Sequence, residues 1–297
     1  MITGTVAAIG TFDGVHLGHR AIIARVMELA CRSGGRSLVL TFANHPLSLI
    51  APARCPLWAT TRAISRQEIE RQGVDCVDAL HFDAPLAALT ARQFLAHLRQ
   101  RYGVSTLVMG YDNTFGSDRL TAPADYRAAG AAEGVDVVTV DAVETPRGVR
   151  ASSSALRRAI AAGDTAAAAD ILSYPYTIEG PVVHGLQNGR KLGFPTLNID
   201  ITGLQPLLTG VYAATLLRGA DRLPAVLNIG TNPTIADDRP LTCELHAIDT
   251  DLGQCYGQTV RFQVHQRLRG EQRFHSLEDL RAAIAADIAA ASFLSAQ

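Results

Sequence analysis

Cysteine is scarce in this chain. Cys31, Cys55, Cys76, Cys243 and Cys255 are odd in number, widely scattered and never spaced as C-x-x-C. That excludes a disulfide framework and leaves structural thiols in a reduced, cytoplasmic setting. Long apolar runs are missing too, so no membrane span is expected. The start runs straight into Thr5-Val6-Ala7-Ala8-Ile9 with no basic segment followed by a long apolar one, and no signal peptide is expected there. Neither sign of charge dominates: 27 Lys and Arg against 28 Asp and Glu give a formal net charge of -1. With no basic run, neither nucleic acid nor an anionic membrane is expected as the main partner. No G-x-x-x-x-G-K-[ST] occurs, which excludes a Walker A loop. No internal repeat is visible.

What remains is ample apolar material. Of 297 residues, 47% are hydrophobic and 19% charged, enough for one large core or two smaller ones. The first half alternates strand and helix signals. Strands are expected at Thr5–Ile9, Ser37–Phe42, Thr106–Met109 and Val135–Val140. Helices are expected over about His19–Cys31 and around Phe94, Leu95 and Leu98, ending near Tyr102-Gly103. Such alternation implies an α/β domain, a doubly wound parallel sheet with helices on both faces and ligands at the carboxyl ends of its strands. One alanine-rich helical stretch follows, at about Ser154–Leu172. Beyond the break at Ser173-Tyr174-Pro175-Tyr176 come short β runs: Tyr176–Val183, Gly210–Leu217, Pro224–Ile229, Thr242–Ile248 and Thr259–Gln266. These imply an antiparallel β-barrel, closed by one helix at about Ser276–Ala291 whose cap is Ser276 with Asp279. Domains are therefore expected at 1–173 and 174–297.

Three segments of the first half carry chemistry. Gly10-Thr11-Phe12-Asp13-Gly14-Val15-His16-Leu17-Gly18-His19 leaves the first strand and opens the first helix. Its glycines permit close backbone approach, and a helix N-terminus favours phosphate. His16 and His19 can face one phosphate and stabilise charge there during nucleotidyl transfer, although an ordinary N-terminal turn with two exposed histidines is the favoured account of the bare spacing. Ser152-Ser153-Ser154 starts a helix. It serves either as an N-cap or, with Arg150 before it and Arg157 one turn inside, as a triphosphate site. Gly110-Tyr111-Asp112-Asn113-Thr114-Phe115-Gly116-Ser117-Asp118-Arg119 follows a strand, where a ligand loop belongs.

Together these segments resemble the nucleotidyltransferase half of bacterial bifunctional riboflavin kinase/FAD synthetases. The match lies in Phe12-Asp13-Gly14-Val15-His16-Leu17-Gly18-His19, in Ser152-Ser153-Ser154 with Leu156 and Arg157, and in Gly110, Asp112, Phe115, Gly116 and Arg119. The resemblance implies that Gly10, Phe12, Gly14, His16, His19, Arg150, Ser153, Ser154 and Arg157 handle ATP. It puts Asp112 in the nucleotide or flavin pocket, with Asn113, Phe115 and Arg119 on the flavin side. Three positions depart from the family: Asn113 where phenylalanine is usual, Leu120-Thr121-Ala122 without the usual glycine, and Asn44 for proline before His45-Pro46. Ser154 stands for a usual threonine and keeps the hydroxyl.

The second half holds Gly180-Pro181-Val182-Val183-His184-Gly185-Leu186-Gln187-Asn188-Gly189-Arg190-Lys191-Leu192-Gly193-Phe194-Pro195-Thr196-Leu197-Asn198. Glycines at 185, 189 and 193 allow tight loops against phosphate. On an extended segment Thr196 and Asn198 share a face, where a hydroxyl and an amide oxygen suit Mg²⁺. A glycine-rich barrel turn explains the same spacing. The stretch resembles the riboflavin kinase motif, with Leu197 for a usual alanine. Further landmarks follow in family order: Gly210-Val211-Tyr212-Ala213, Asn228-Ile229-Gly230-Thr231-Asn232-Pro233-Thr234, Cys243-Glu244-Leu245-His246 and Leu268-Arg269-Gly270-Glu271. The resemblance, which spans about Thr5 to Ala289, implies Glu244 as general base. It assigns Gly185, Gly189, Arg190, Gly193, Thr196 and Asn198 to ATP, Thr196 and Asn198 also to Mg²⁺, and Arg269 to the flavin. His184, His246, His265 and His275 read as structural or surface residues.

The expected activity is ATP-dependent phosphorylation of riboflavin to FMN, then adenylyl transfer from ATP to FMN, giving FAD and pyrophosphate. Two alternatives stand beside it. One is a riboflavin kinase with a weakened transferase half, and the other is a flavin- or nucleotide-binding protein without turnover. The sequence leaves oligomeric state open.

Overall fold

The computed structural model describes residues 4–185, 189, 192–230 and 241–295. The chain divides into two compact units, one of Met1–Leu57 with Arg62–Ser153 and another of Trp58–Thr61 with Ser154–Gln297.

The first unit is a five-stranded parallel sheet. Its strands are β1 (Thr5–Ile9), β2 (Arg36–Phe42), β3 (Cys76–Leu80), β4 (Val104–Gly110) and β5 (Asp136–Val140), in the order β3-β2-β1-β4-β5. The helices are α1 (Leu17–Ser33), α2 (Pro46–Ile50), α3 (Arg62–Glu70), α4 (Ala84–Ala88), α5 (Ala91–Tyr102) and α6 (Pro123–Ala132). Strand β1 is central, so Ala7 pairs with Leu38 on one side and Leu107 on the other. Its alternation feeds two cores: Ala7 and Ile9 pack with Leu40, Leu95 and Leu98, while Val6 and Ala8 pack with Ile23, Val26 and Ile69. That is the doubly wound arrangement expected from the strand–helix alternation. Because β2 and β4 diverge from β1, the loops leaving β1 and β4 flank the switch point where such sheets take ligands. One expected helix, α5, ends as its sequence dictates. Thr90 and Gln93 form a capping box on α5, and Gly103 at φ 67° terminates it. Strand β3 escaped the sequence pattern because it is an edge strand whose Asp78 and half-buried neighbours break the apolar run.

The second unit is a closed antiparallel barrel. Its strands are β6 (Thr177–Val183), β7 (Leu197–Ile199), β8 (Gly210–Arg218), β9 (Asp221–Gly230), β10 (Thr242–Ala247) and β11 (Thr259–Arg269), in the order β10-β7-β6-β11-β8-β9. The three-residue β7 is too short to announce itself, yet it closes the barrel between β6 and β10. The alanine-rich stretch expected as a single helix is two, α7 (Ser153–Ala161) and α8 (Thr165–Leu172). Gly163 breaks it at φ 69°, and Asp164 caps α8 through the Ala167 amide at 2.9 Å. The closing helix α9 (Leu277–Ser295) packs on β8 and β9, with Ala291 against Val211, Ala213 and Val226. Ser276 Oγ caps it from the Asp279 amide at 3.0 Å. Trp58–Thr61 is built into this unit. Trp58 bridges Gly203 and Gln205 through its backbone, and the Tyr176 hydroxyl donates to the Ala59 carbonyl at 3.1 Å.

Candidate active sites of the two units

In the first unit, the chain leaving β1 turns through Phe12 at φ 46°, Gly14 at φ 76° and Val15 at φ 43°. Phe12 and Val15 are not glycine, so this left-handed backbone is strained. Burial holds it, since both side chains are fully within the core beside Ile69 and Val26. The turn delivers His16 as the N-cap of α1, its Nδ1 accepting from the His19 amide at 3.4 Å. The His16 and His19 rings stack at 3.6 Å, so the residues expected to act as a pair do lie together at a helix N-terminus. Burial, reinforced by the charge of His16, holds the His19 imidazole well below its ordinary value and keeps it neutral near pH 7. Its Nδ1 is sealed from solvent and has no hydrogen-bond partner among the described residues.

Side chains from four other segments grip this loop's backbone. Asn113 Nδ2 donates to the Ile9 carbonyl at 3.1 Å, Thr41 Oγ1 to Thr11 at 3.2 Å and Ser153 Oγ to Asp13 at 3.4 Å. Ser65 Oγ accepts from the Gly14 amide at 3.4 Å, and Gly10 donates to Leu40. Three carbonyls are thus drawn away to side-chain donors. Sequence reasoning missed Thr41, Ser65 and the Asn113 anchor, since none lies within the loop's own motif.

The middle loop follows β4 as expected. Asp112 is exposed and pairs with Arg150 at 2.8 Å, and that guanidinium lies 4.4 Å over the Tyr111 ring. Phe115 packs between Phe94 and Tyr126, and Arg119 is exposed at φ 52°. Gly116 is required, because a Cβ there would lie 2.4 Å from the Ala91 amide. Asn44 pairs with the Phe82 backbone twice, at 2.9 and 2.8 Å, and so ties the ends of β2 and β3 together. Ser154 and Arg157 lie on α7, in the portion that belongs to the second unit.

In the second unit the site grows from strand alternation. On β10, Cys243, Leu245 and Ala247 are buried, while Thr242, Glu244 and His246 occupy the other face. Glu244 stands directly opposite Asn198 on β7 and Asn228 on β9, and directly opposed residues in antiparallel strands point the same way. A carboxylate flanked by two amides therefore forms a row on one face of the barrel. In the sequence Asn228 is only a landmark, and its place beside Glu244 follows from the strand register.

Gly185 and Gly189, the described glycines of the stretch before β7, lie close to this row and to Thr196. A Cβ on Gly185 would lie 2.2 Å from Asn198 Nδ2, and one on Gly189 would lie 3.1 Å from Thr196 Oγ1. The backbone at 185 and 189 thus presses on the two residues expected to share a face. Arg190 lies outside the described residues, and Gly193 sits at φ 89° with nothing near its Cβ position. His246 bonds the Pro195 carbonyl through Nδ1 at 2.8 Å, fixing the chain entering β7. Thr196 and Asn198 line a pocket with Gly185, Leu252, Cys255 and Tyr256, and the Tyr256 ring stacks on His184 at 4.0 Å. Sequence reasoning gave the 250–256 segment no role. Arg269 forms a bidentate pair with Asp287 of α9, at 3.0 and 2.8 Å, and faces Phe274.

The hard oxygens of Thr196 and Asn198, on a cradle that any Cβ at 185 would fill, fit a small divalent cation shared with phosphates. Among the described residues, no cluster of three or more His, Cys, Asp or Glu offers a rival all-protein metal site.

Comparison with known proteins agrees for both units. A family model for FAD synthetase matches residues 2–155, and one for riboflavin kinase matches residues 172–294. The chain is 40% identical over 296 residues to a bifunctional riboflavin kinase/FMN adenylyltransferase of Pseudomonas fluorescens, covering 99% of this chain and 94% of that one. The enzyme of the same description from Escherichia coli K12 is 37% identical, over 96% and 90% of the two chains. A solved structure from Streptococcus pneumoniae described as a macrolide-efflux protein shares the fold with a TM-score of 0.82 at 28% identity. The similarity covers 97% of this chain and 93% of that one. In the present chain, no helix among the described residues is long and apolar enough to cross a membrane.

Proposed function

The chain belongs to the bifunctional riboflavin kinase/FMN adenylyltransferase family, and from that premise we propose how its residues divide the two reactions. It uses ATP twice, to phosphorylate riboflavin to FMN and to adenylylate FMN to FAD.

In the kinase reaction, Glu244 takes the proton of the ribityl 5′-hydroxyl as that oxygen attacks the γ-phosphorus, and ADP leaves. The cross-strand row of Glu244 with Asn198 and Asn228 supports this above all else. It sets a carboxylate beside the amide and hydroxyl that would hold the phosphates. Thr196 and Asn198 would hold Mg²⁺, which when bound neutralises charge on the phosphates. The backbone of Gly185 and Gly189 approaches them closely, and the 250–256 segment with Tyr256 walls the nucleotide on its far side.

In the transferase reaction, a phosphate oxygen of FMN attacks the α-phosphorus of ATP and pyrophosphate leaves. His16 and His19 donate hydrogen bonds to the charge that builds on the α-phosphate. A neutral, partly desolvated His19 suits that task. It keeps one N–H to donate, and its interaction with an arriving anion is little screened by water. Arg150 and Ser153 bind the phosphates, and Asp112 holds Arg150 extended before the nucleotide arrives. The 1–173 and 174–297 portions carry the two activities.

Two variants test the assignment. Glu244→Gln should stop FMN formation while supplied FMN is still converted to FAD. His16→Ala with His19→Ala should do the reverse, slowing FAD formation by on the order of 100-fold. Normal riboflavin phosphorylation by the first, or near-normal FAD formation by the second, would remove the residue concerned from its role.

A further inference from the structure

Helix α3 buries a carboxylate that neither reaction uses. Glu68 is only 5% exposed. It accepts from Arg20 at 2.8 Å on one oxygen and from Arg71 at 2.5 Å on the other. Arg20 directly follows His19, and its amide donates to the His16 carbonyl at 2.9 Å. One turn earlier on α3, Ser65 takes the Gly14 amide, and next to Glu68, Ile69 packs against the strained Phe12 and Val15. Three consecutive contacts of one helix face therefore seize the loop that carries the two histidines: its amide, its apolar side chains and the first turn of α1.

Burying an ion pair costs desolvation that an apolar pair of similar volume would avoid. A hydrophobic pair would hold α3 against α1 at least as well, but without fixing one register between them. The bidentate spacing of Glu68 does fix it, because Arg20 reaches one oxygen while Arg71 holds the other. We infer that Glu68 is a positioning residue for adenylyl transfer: acting through Arg20, it sets the first turn of α1 so that His16 and His19 meet the α-phosphate in register. This rests on the assignment of His16 and His19 to that reaction.

The test uses the full chain, whose kinase reaction serves as an internal measure of folding. Glu68→Gln and the double variant Arg20→Met with Glu68→Met are assayed for FAD formation from supplied FMN, for riboflavin phosphorylation and for Tm. Each should lower kcat for FAD formation by about tenfold or more, since small misplacements of reacting groups carry such losses. The KM for FMN and the kinase rate should stay near their native values. The double variant should melt no lower than the native chain. Native kcat in either variant would overturn the inference, because the pair would then serve stability alone. Should Glu68→Gln fail to fold, the double variant decides, and its unfolding would overturn the inference too. The His16→Ala, His19→Ala chain run alongside separates the two possible failures. Retained FAD formation there defeats the histidine assignment, whereas its loss beside active Glu68 variants defeats only the role of Glu68.

Discussion

Asn113 stands where the family usually has phenylalanine, and Asn113→Phe separates two effects that the sequence alone would merge. From the residue type, an aromatic ring would offer the isoalloxazine apolar contact that an amide does not, so KM for FMN should fall while that for ATP stays constant. The structure adds a cost. Asn113 Nδ2 holds the carbonyl of Ile9 at 3.1 Å, and Ile9 is 6% exposed at the end of β1, just before the histidine loop. Phenylalanine cannot donate, which leaves that carbonyl without its side-chain donor. A buried acceptor stripped of its partner costs about 1 to 3 kcal/mol. Asn113 itself is half-buried and water can reach part of the gap, so the lower end, about 1 kcal/mol, applies. If that is lost from the ordered loop, kcat for FAD formation falls by about fivefold, even as KM for FMN improves. Asn113→Asp isolates the cost, since a carboxylate can neither donate to Ile9 nor stack, and should lower kcat without improving KM. Steady-state kinetics with FMN and with ATP as varied substrates reads both constants. An unchanged or higher kcat in both variants would refute the anchor, and an unchanged or higher KM for FMN in Asn113→Phe would refute the stacking term.

Gly185→Ala puts a Cβ 2.2 Å from Asn198 Nδ2 and should abolish riboflavin phosphorylation while FAD formation from supplied FMN persists; a retained kinase rate would show that the loop need not press on Asn198. His19 makes stability depend on pH. Its folded pKa lies well below 6.5, so between the two values the unfolded chain binds the extra proton. Its contribution is complete above about pH 6.5 and is lost as pH falls toward the folded pKa; stability measured between pH 5 and 8 should show a shallower slope in His19→Gln, and an identical slope would contradict a desolvated neutral ring. Finally, α8 packs on β11 with Ile171 and Leu172 buried, side chains worth about 1.5 to 3 kcal/mol each. A fragment of residues 154–297 should therefore melt higher than one of residues 174–297, and equal melting temperatures would mean that α8 adds nothing to the barrel.

Local pattern was enough to specify much of this protein. The apolar runs at 5–9 and 37–42 announce buried parallel strands because such strands are covered on both faces and need no polar alternation. Gly103 announces the end of α5, since a C-cap is made within a residue or two of the helix it closes, whereas the Thr90–Gln93 capping box at its start came from the structure. The order of glycine, histidine and serine motifs identified the family and both reactions. What local pattern cannot carry is any property that arises between distant segments. The division of 154–172 into two helices rests on Gly163, whose absent side chain leaves room for Tyr212 and Leu208 of the barrel. Three-residue β7 exists only because β6 and β10 supply its hydrogen bonds. The row of Asn198, Glu244 and Asn228 depends on strand register, where a slip of one residue would turn Glu244 to the opposite face. Likewise the grip of Asn113, Thr41, Ser65 and Ser153 on the histidine loop joins residues 30 to 140 positions apart. Sequence names the groups that do chemistry because their types and spacings are local, whereas their positioning is a matter of packing and register, which only the folded chain decides.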